Sequence, residues 1–385
     1  MSHLIGTLAS GAALTVALGG FTAAAVRGAR RSGRTEAWAP SQQDQSKLRV
    51  IPATLQAPPK QRAATSRRKD RAVELLPAEA TITLAEERRA ANIDEVLAAL
   101  DRDLIGLVPI KHKVEEIAAL LLVDRARLKF GLSAPRPNLR MCFTGPPGTG
   151  KTTMALRMAD LLHRLGYLEK GHLVHAMRDD LVGEFVGQTA PRTKRVLERA
   201  MGGVLFIDEA YYLYRASDSK DYGQEAIEIL LQVMENEREN LVVVLAGYKD
   251  RMDQFFTSNP GMSSRITHHL DFAPYDIGDL VAIGELMLDS SRYNLSVAAE
   301  AAFRQNILRQ MAEPDFANAR SVRNELDRAR LRHAYRLAAE PHRDWSREDL
   351  MRLEPEDMLE HHDGPEPSVG AAAEPRSGSH APAGG

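Results

Sequence analysis

Cysteine is nearly absent. The 385-residue chain has one, Cys142, which excludes a disulfide framework and a cysteine-built zinc site. It lies in the apolar run Leu139-Arg140-Met141-Cys142-Phe143 and is expected to be inert core. Net charge is small as well. Fifty Lys and Arg against 52 Asp and Glu give a formal −2, which speaks against a protein that holds nucleic acid by bulk positive charge. Acidic residues are scarce at the N-terminus: Met1 to Lys69 has eleven Lys or Arg but only Glu36 and Asp44. With Pro, Ser, Gln and Ala dominating its second half, that stretch is not expected to build a packed core.

The same stretch begins with an uncharged apolar run, Leu4 to Val26, followed at once by Arg27, Arg30, Arg31 and Arg34. An apolar run followed by an arginine-rich, acid-poor tract fits a targeting leader over 1–80. The run is long enough to cross a bilayer, but its Gly, Ala and Thr weaken insertion. A membrane anchor and an uncleaved tail are the alternatives. Positive charge after the apolar run, rather than before it, argues against simple secretion.

From about Leu84 the pattern is globular. Leu84–Leu100 and Ile110–Phe130 space apolar residues by three and four, as amphipathic helices do. Gly131 and Pro135-Arg136-Pro137 end the second. Five apolar runs then alternate with helical patterns: Leu139–Thr144, His172–Ala176, Val204–Asp208, Leu241–Ala246 and Ile266–Phe272. Strands alternating with helices predict an α/β domain, a parallel sheet covered on both faces. After Pro274 the pattern is helical (Ile277–Leu288, Val297–Met311, Ala319–Leu337), a separate small domain. The expected division is a leader at 1–80, an α/β domain at 81–274, a helical domain at 275–345 and a disordered tail at 346–385. No internal repeat is present.

Two motifs carry chemistry. Gly145-Pro146-Pro147-Gly148-Thr149-Gly150-Lys151-Thr152 matches the phosphate-binding pattern G-x-x-x-x-G-K-[ST]. Its glycines let backbone N–H groups turn inward around phosphate oxygens, and the following helix aims its positive end at the same anion. Lys151 is expected on the β- and γ-phosphates, the Thr152 hydroxyl on Mg²⁺, and Thr153 beside them. Fifty-seven residues after Lys151, the apolar run Val204-Leu205-Phe206-Ile207 ends in Asp208-Glu209. A buried strand would place Asp208 at its carboxyl end beside the phosphate loop. Asp208 would orient the Mg²⁺ shell, and Glu209 would take the proton of the attacking water.

Together these motifs resemble the AAA+ ATPases. Three further segments are similar to that superfamily. Ile105 and Gly106, in Leu104-Ile105-Gly106-Leu107, stand where the family packs against adenine. Arg265, in Asn259-Pro260-Gly261-Met262-Ser263-Ser264-Arg265, stands at the arginine-finger position. Arg320, in Asn318-Ala319-Arg320, stands at the second sensor. The wording of Asp180–Pro191, Ala200–Leu213 and Ala246–Met252 resembles the CbbX family of red-type Rubisco activases, over about Leu84 to Leu337. Ala246-Gly247-Tyr248 departs from the polar first sensor of many relatives, and Phe185 replaces a pore-loop tyrosine.

The resemblance implies an AAA+ fold with a helical lid, ATP and Mg²⁺ as cofactors, and ribulose 1,5-bisphosphate as allosteric effector. It implies a homo-oligomer, a hexameric ring in which Arg265 completes a neighbour's site. The loop Phe185-Val186-Gly187 would grip the C-terminal tail of the Rubisco large subunit, with Phe185 packed on the sheet core as the other reading. His112, His268 and His269 are considered for the effector and read as structural. Neither nucleic acid nor stable membrane association is expected. A plastid stromal location follows from the leader, whose Glu36-Ala37-Trp38-Ala39-Pro40 resembles a plastid processing motif; a bacterial cytoplasmic protein is the alternative. A general AAA+ unfoldase of a secretion or sporulation system, a DNA-acting motor and a nucleotide-gated scaffold are the competing functions.

Overall fold

The computed structural model describes residues 50–52, 75–132, 136–215, 221–237 and 239–359. The expected leader lies outside them, apart from 50–52 and 75–80. The elements run β1 (Val50–Pro52), α1 (Leu84–Ala90), α2 (Ile93–Asp103), α3 (Val108–Lys129), β2 (Met141–Thr144), α4 (Lys151–Arg164), β3 (His172–Ala176), α5 (Arg178–Leu181), α6 (Thr189–Ala200) and β4 (Val204–Ile207). They continue with α7 (Gly223–Asn236), β5 (Val242–Gly247), α8 (Lys249–Ser258), α9 (Pro260–Ser263), β6 (His268–Asp271), α10 (Ile277–Ser291), β7 (Asn294–Leu295), α11 (Val297–Gln310), α12 (Ala319–Ala338), β8 (Arg352–Leu353) and α13 (Pro355–Met358).

The sheet order is β1-β3-β4-β5-β2-β6. The five expected strands are all present and mutually parallel. Side chains alternate across a strand, and here the alternation divides two cores. Met141 and Phe143 join Phe206 and Val244 under α2, α3 and α4. Cys142 joins Leu205, Ile207 and Leu245 on the other face, against α6, α7 and α8. Cys142 is fully buried, and burial pushes its thiol up to about 12, so the inert-core expectation holds. A third core, around Phe303, Leu280 and Val322, belongs to the helical domain.

Three expectations are corrected. Val50–Pro52, inside the stretch read as leader, pairs antiparallel with β3, Ile51 opposite Leu173. Edge pairing uses backbone groups, which composition does not reveal. The single helix expected over Leu84–Leu100 is two, because Asn92 adopts φ 50° and breaks it. The expected disordered tail does not begin at 346: residues up to Leu359 are part of the helical domain. Leu353 and Met358 are fully buried in its core. Asp357, almost fully buried, accepts two bonds from Arg336 at 2.9 and 2.7 Å. Two apolar anchors in an acid-rich segment are enough to fix it, although its average composition reads as tail.

Candidate active site

The parallel strands β2, β4 and β5 present their carboxyl ends to a cleft of about 760 Å³ between the sheet and the helical domain. Open α/β sheets bind ligands at that edge. The phosphate loop runs from β2 into α4. Gly145 and Gly148 hold φ of 140° and 73°, and a Cβ on either would collide with the carbonyl of Phe272 or Ala317. Only glycine lets the loop wind this tightly. Lys151 extends back over the loop, its Nζ donating to the carbonyls of Gly145 and Pro146 at 2.8 and 2.7 Å. Burial pushes its ammonium below the usual lysine range, against the pull of Asp208 and Glu209.

Asp208 and Glu209 leave β4 together but differ in environment. Burial raises the Asp208 carboxyl. The His175 imidazole, whose Nε2 lies 3.4 Å from Oδ2, the Glu209 N–H at 3.1 Å and the Lys151 charge outweigh it and hold Asp208 below the usual range. Glu209 is pushed up by burial and by the Asp208 charge. Its backbone is left-handed, φ 51° and ψ 42°, a strained conformation of a kind that clusters at functional sites. Environments that drive neighbouring carboxyls apart suit one to binding a cation and the other to proton transfer.

Among the described residues, no three His, Cys, Asp or Glu side chains gather into a metal cage. The Thr152 hydroxyl and the ionised Asp208 both line the cleft. That sparse oxygen set fits Mg²⁺, which is commonly held by one or two protein ligands, substrate phosphates and water.

The cleft gathers most of the expected residues: Ile105, Gly145, Pro147, Gly148, Thr149, Gly150, Lys151, Thr152, Thr153, Asp208, Glu209 and Arg320. Pro146 and Gly106 do not line it. Pro146 supplies a carbonyl to Lys151 and to the Thr149 hydroxyl, and Gly106 makes a left-handed turn pressed on Asp279. Ile105, with Leu104, Ile283, Leu286 and Met287, gives one end of the cleft an apolar wall. Arg265 stays out of the cleft, its Nη1 on the Gly261 carbonyl at 2.9 Å and its Nε 3.6 Å from Glu235. Phe185 is 66% exposed and Val186 81%, so the reading that packed Phe185 into the sheet core is not what the chain does. His112 pairs with Glu116 on the surface, His268 bonds the Asn138 carbonyl and His269 meets the Phe256 edge; none lines the cleft.

Sequence reasoning missed His175, Tyr275, Arg323 and the role of Asn318. Arg323 lines the cleft one turn beyond Arg320. The Tyr275 hydroxyl donates to the Thr149 carbonyl at 3.2 Å. Asn318 accepts from the Tyr275 N–H and donates to the Pro147 carbonyl. These partners are far apart in sequence, and no local pattern marks them. At the unassigned first-sensor position, Tyr248 lines the cleft, and Arg251 stacks on Tyr248, Tyr211 and Tyr212 behind it.

Residues 141–273 match the family described as "ATPase family associated with various cellular activities (AAA)", and residues 276–368 match the AAA lid domain. The chain is 58% identical over 279 residues to "Ribulose bisphosphate carboxylase/oxygenase activase, chloroplastic" of Cyanidioschyzon merolae, covering 72% of this chain and 95% of that one. It is 62% identical over 255 residues to "Protein CbxX, chromosomal" of Cupriavidus necator, covering 66% and 80%. To "Protein CfxQ homolog" of Guillardia theta it is 57% identical over 281 residues, covering 73% and 96%. Among the described residues, no helix is long and apolar enough to cross a membrane.

Proposed function

Since the chain belongs to the CbxX/CfxQ family of AAA ATPases, which includes a chloroplastic Rubisco activase, we propose that it is an ATP-driven motor that reactivates inhibited red-type Rubisco. One observation carries the reading: a single cleft gathers Lys151, Thr152, Asp208, Glu209 and Arg320, while Phe185 stands exposed outside it.

ATP lies with its adenine on the apolar wall at Ile105 and its phosphates along the backbone N–H groups from Gly145 to Lys151. Lys151 leaves its carbonyl partners for the β- and γ-phosphates. Thr152 and Asp208 would hold and orient Mg²⁺, which would supply neutralisation of the phosphate charge. Glu209 accepts a proton from a water molecule as its oxygen attacks the γ-phosphorus. The bond to the β–γ bridging oxygen breaks, leaving ADP and phosphate. Arg320 contacts the γ-phosphate from the lid. Arg265, outside its own cleft, reaches the site of the next subunit, where a guanidinium stabilises the charge of the transition state. Each site is then shared, and a closed ring, which we take to be hexameric, supplies every subunit with a partner.

In such a ring Phe185, Val186 and Gly187 line the central pore. The aromatic presses on the C-terminal tail of the Rubisco large subunit, and hydrolysis pulls it, opening the blocked active site. Ribulose 1,5-bisphosphate acts as effector at a site outside the catalytic cleft. The arginine-rich leader and the chloroplastic relative support a stromal location; the Cupriavidus relatives support a bacterial cytoplasm as the alternative. N-terminal sequencing of protein from its native cells separates the two.

The test is the ATPase rate with and without ribulose bisphosphate, beside the activity regained by sugar-phosphate-inhibited red-type Rubisco. Stimulation together with reactivation is expected. ATP turnover that neither responds to the effector nor restores Rubisco would overturn the reading in favour of a general AAA unfoldase.

A further inference from the structure

The exposed loop that carries Phe185 has a rigid base. The Gly183 N–H donates to the buried Thr189 hydroxyl at 3.0 Å, and a Cβ on Gly183 would strike Gln188. The Thr193 hydroxyl donates to the Leu181 carbonyl at 2.9 Å, and Arg192 donates to the carbonyls of Asp179 and Val182. The two ends of the loop are thus bonded to each other and to both α5 and α6.

Besides the buried Leu181 and the bonds from α6, one side chain ties α5 to the turn after Glu209. Arg178, its first residue, donates from Nη1 to the Tyr212 carbonyl at 2.6 Å, while Nη2 pairs with Asp221 just ahead of α7. Both side chains are largely shielded, at 14% and 7% exposure. Tyr212 in turn donates its N–H to the Glu209 carbonyl at 2.9 Å. Glu209, Tyr212 and Arg178 thus form a continuous run of hydrogen bonds from the strained left-handed residue at the cleft to the stem of the exposed loop. A guanidinium can hold two acceptors in fixed directions at once, which an ammonium cannot do with the same geometry.

We propose that Arg178 is the positioning residue that couples the turn after Glu209 to the Phe185 loop, so that the nucleotide state at the cleft sets the position of the loop. This rests on the motor reading above. It goes beyond that reading by assigning the connection to a residue that touches neither nucleotide nor substrate.

Because Cys142 is the sole cysteine and is buried, Val186→Cys in the full-length assembled protein offers one reactive thiol for an environment-sensitive fluorophore. Its emission is compared with ADP and with a non-hydrolysable ATP analogue, each with Mg²⁺. The labelled protein should respond to the exchange. Adding Arg178→Met should shrink the response at least fivefold, with affinity for fluorescent ADP within twofold of the parent. Arg178→Lys, which keeps the charge beside Asp221, should lose the response as well and serves if the Met variant does not fold. Asp221→Asn, which keeps the bond to Tyr212, should retain at least half. A full response in both Arg178 variants overturns the coupling role alone. An equal loss in Asp221→Asn also overturns it, since the effect then belongs to the ion pair. No response in the parent Val186→Cys protein overturns the motor reading along with it.

Discussion

The side-chain amide of Asn318, in the lid, donates to the carbonyl of Pro147, in the phosphate loop, at 3.2 Å. Its oxygen accepts the Tyr275 N–H at 3.1 Å, and the Ala319 N–H bonds the Gly148 carbonyl at 3.2 Å. The lid is therefore fastened to the very loop that is to bind the phosphates.

Asn318 is 1% exposed and holds φ 50° and ψ −130°. Asn318→Ala removes two hydrogen bonds worth roughly 1 kcal/mol each and leaves the backbone conformation unfavourable. Affinity for fluorescent ADP should fall by about five- to thirtyfold, with the loss in KM for ATP larger than that in kcat. Asn318→Gly should weaken binding similarly but unfold at a higher temperature than the Ala variant, because glycine tolerates positive φ. Unchanged nucleotide affinity in both variants would sever the lid contact from binding.

Glu209→Gln should bind ATP and lose turnover by about a hundredfold or more, since an amide cannot accept the water's proton. Lys151→Ala should weaken binding itself. The raised Glu209 pKa also has a sign. Turnover should decline as pH falls through a value above that of an ordinary glutamate, because the protonated form is inactive. Stability runs the other way: a carboxyl whose folded pKa is raised disfavours the folded state when ionised. Glu209→Gln should therefore melt higher than the parent at neutral pH, with the difference shrinking as pH falls through the raised value toward the ordinary glutamate range. Thermal melts across that range check the sign.

Arg265→Ala should lower the ATPase rate of the assembled protein by about a thousandfold, the scale of arginine-finger losses. Mixed with Lys151→Ala subunits, it should recover activity above both parents if, as proposed, each variant lacks a different half of a shared site. Mixtures no better than the parents would leave Arg265 as a local partner of Glu235 only.

Phe185→Ala should lower the Rubisco activity regained per ATP hydrolysed by at least tenfold, whereas Phe185→Tyr should stay within about twofold. A grip made by apolar contact and shape would survive, because tyrosine retains both. Equal coupling in the Ala variant would exclude the loop from gripping.

Much of the site was legible because it is local. The phosphate loop is eight consecutive residues, and Val204–Glu209 announces both a buried strand and the carboxylates at its end. The strands β2, β4 and β5 were legible because strands buried on both faces read as unbroken apolar runs. What was not legible is held by contacts between distant residues. Tyr275 and Thr149 are 126 positions apart, and Asn318 and Pro147 are 171 apart. His175 sits in the middle of a strand whose pattern says only that it is half-buried. Leu353 and Met358 were lost in the average of an acidic segment. Arg178 reads as an ordinary polar residue until its two acceptors are seen.

The short pairing of Val50–Pro52 with His172, Leu173 and Val174 bears on where a leader can be removed. β1 covers the outer side of β3, whose free backbone groups would otherwise invite pairing with another chain. A cut before Val50 keeps that cover on the mature protein. A cut after Pro52 removes it and leaves a bare sheet margin, open to pairing with another chain. If a leader is removed, a cut ahead of Val50 is therefore the one that keeps the margin of the sheet covered.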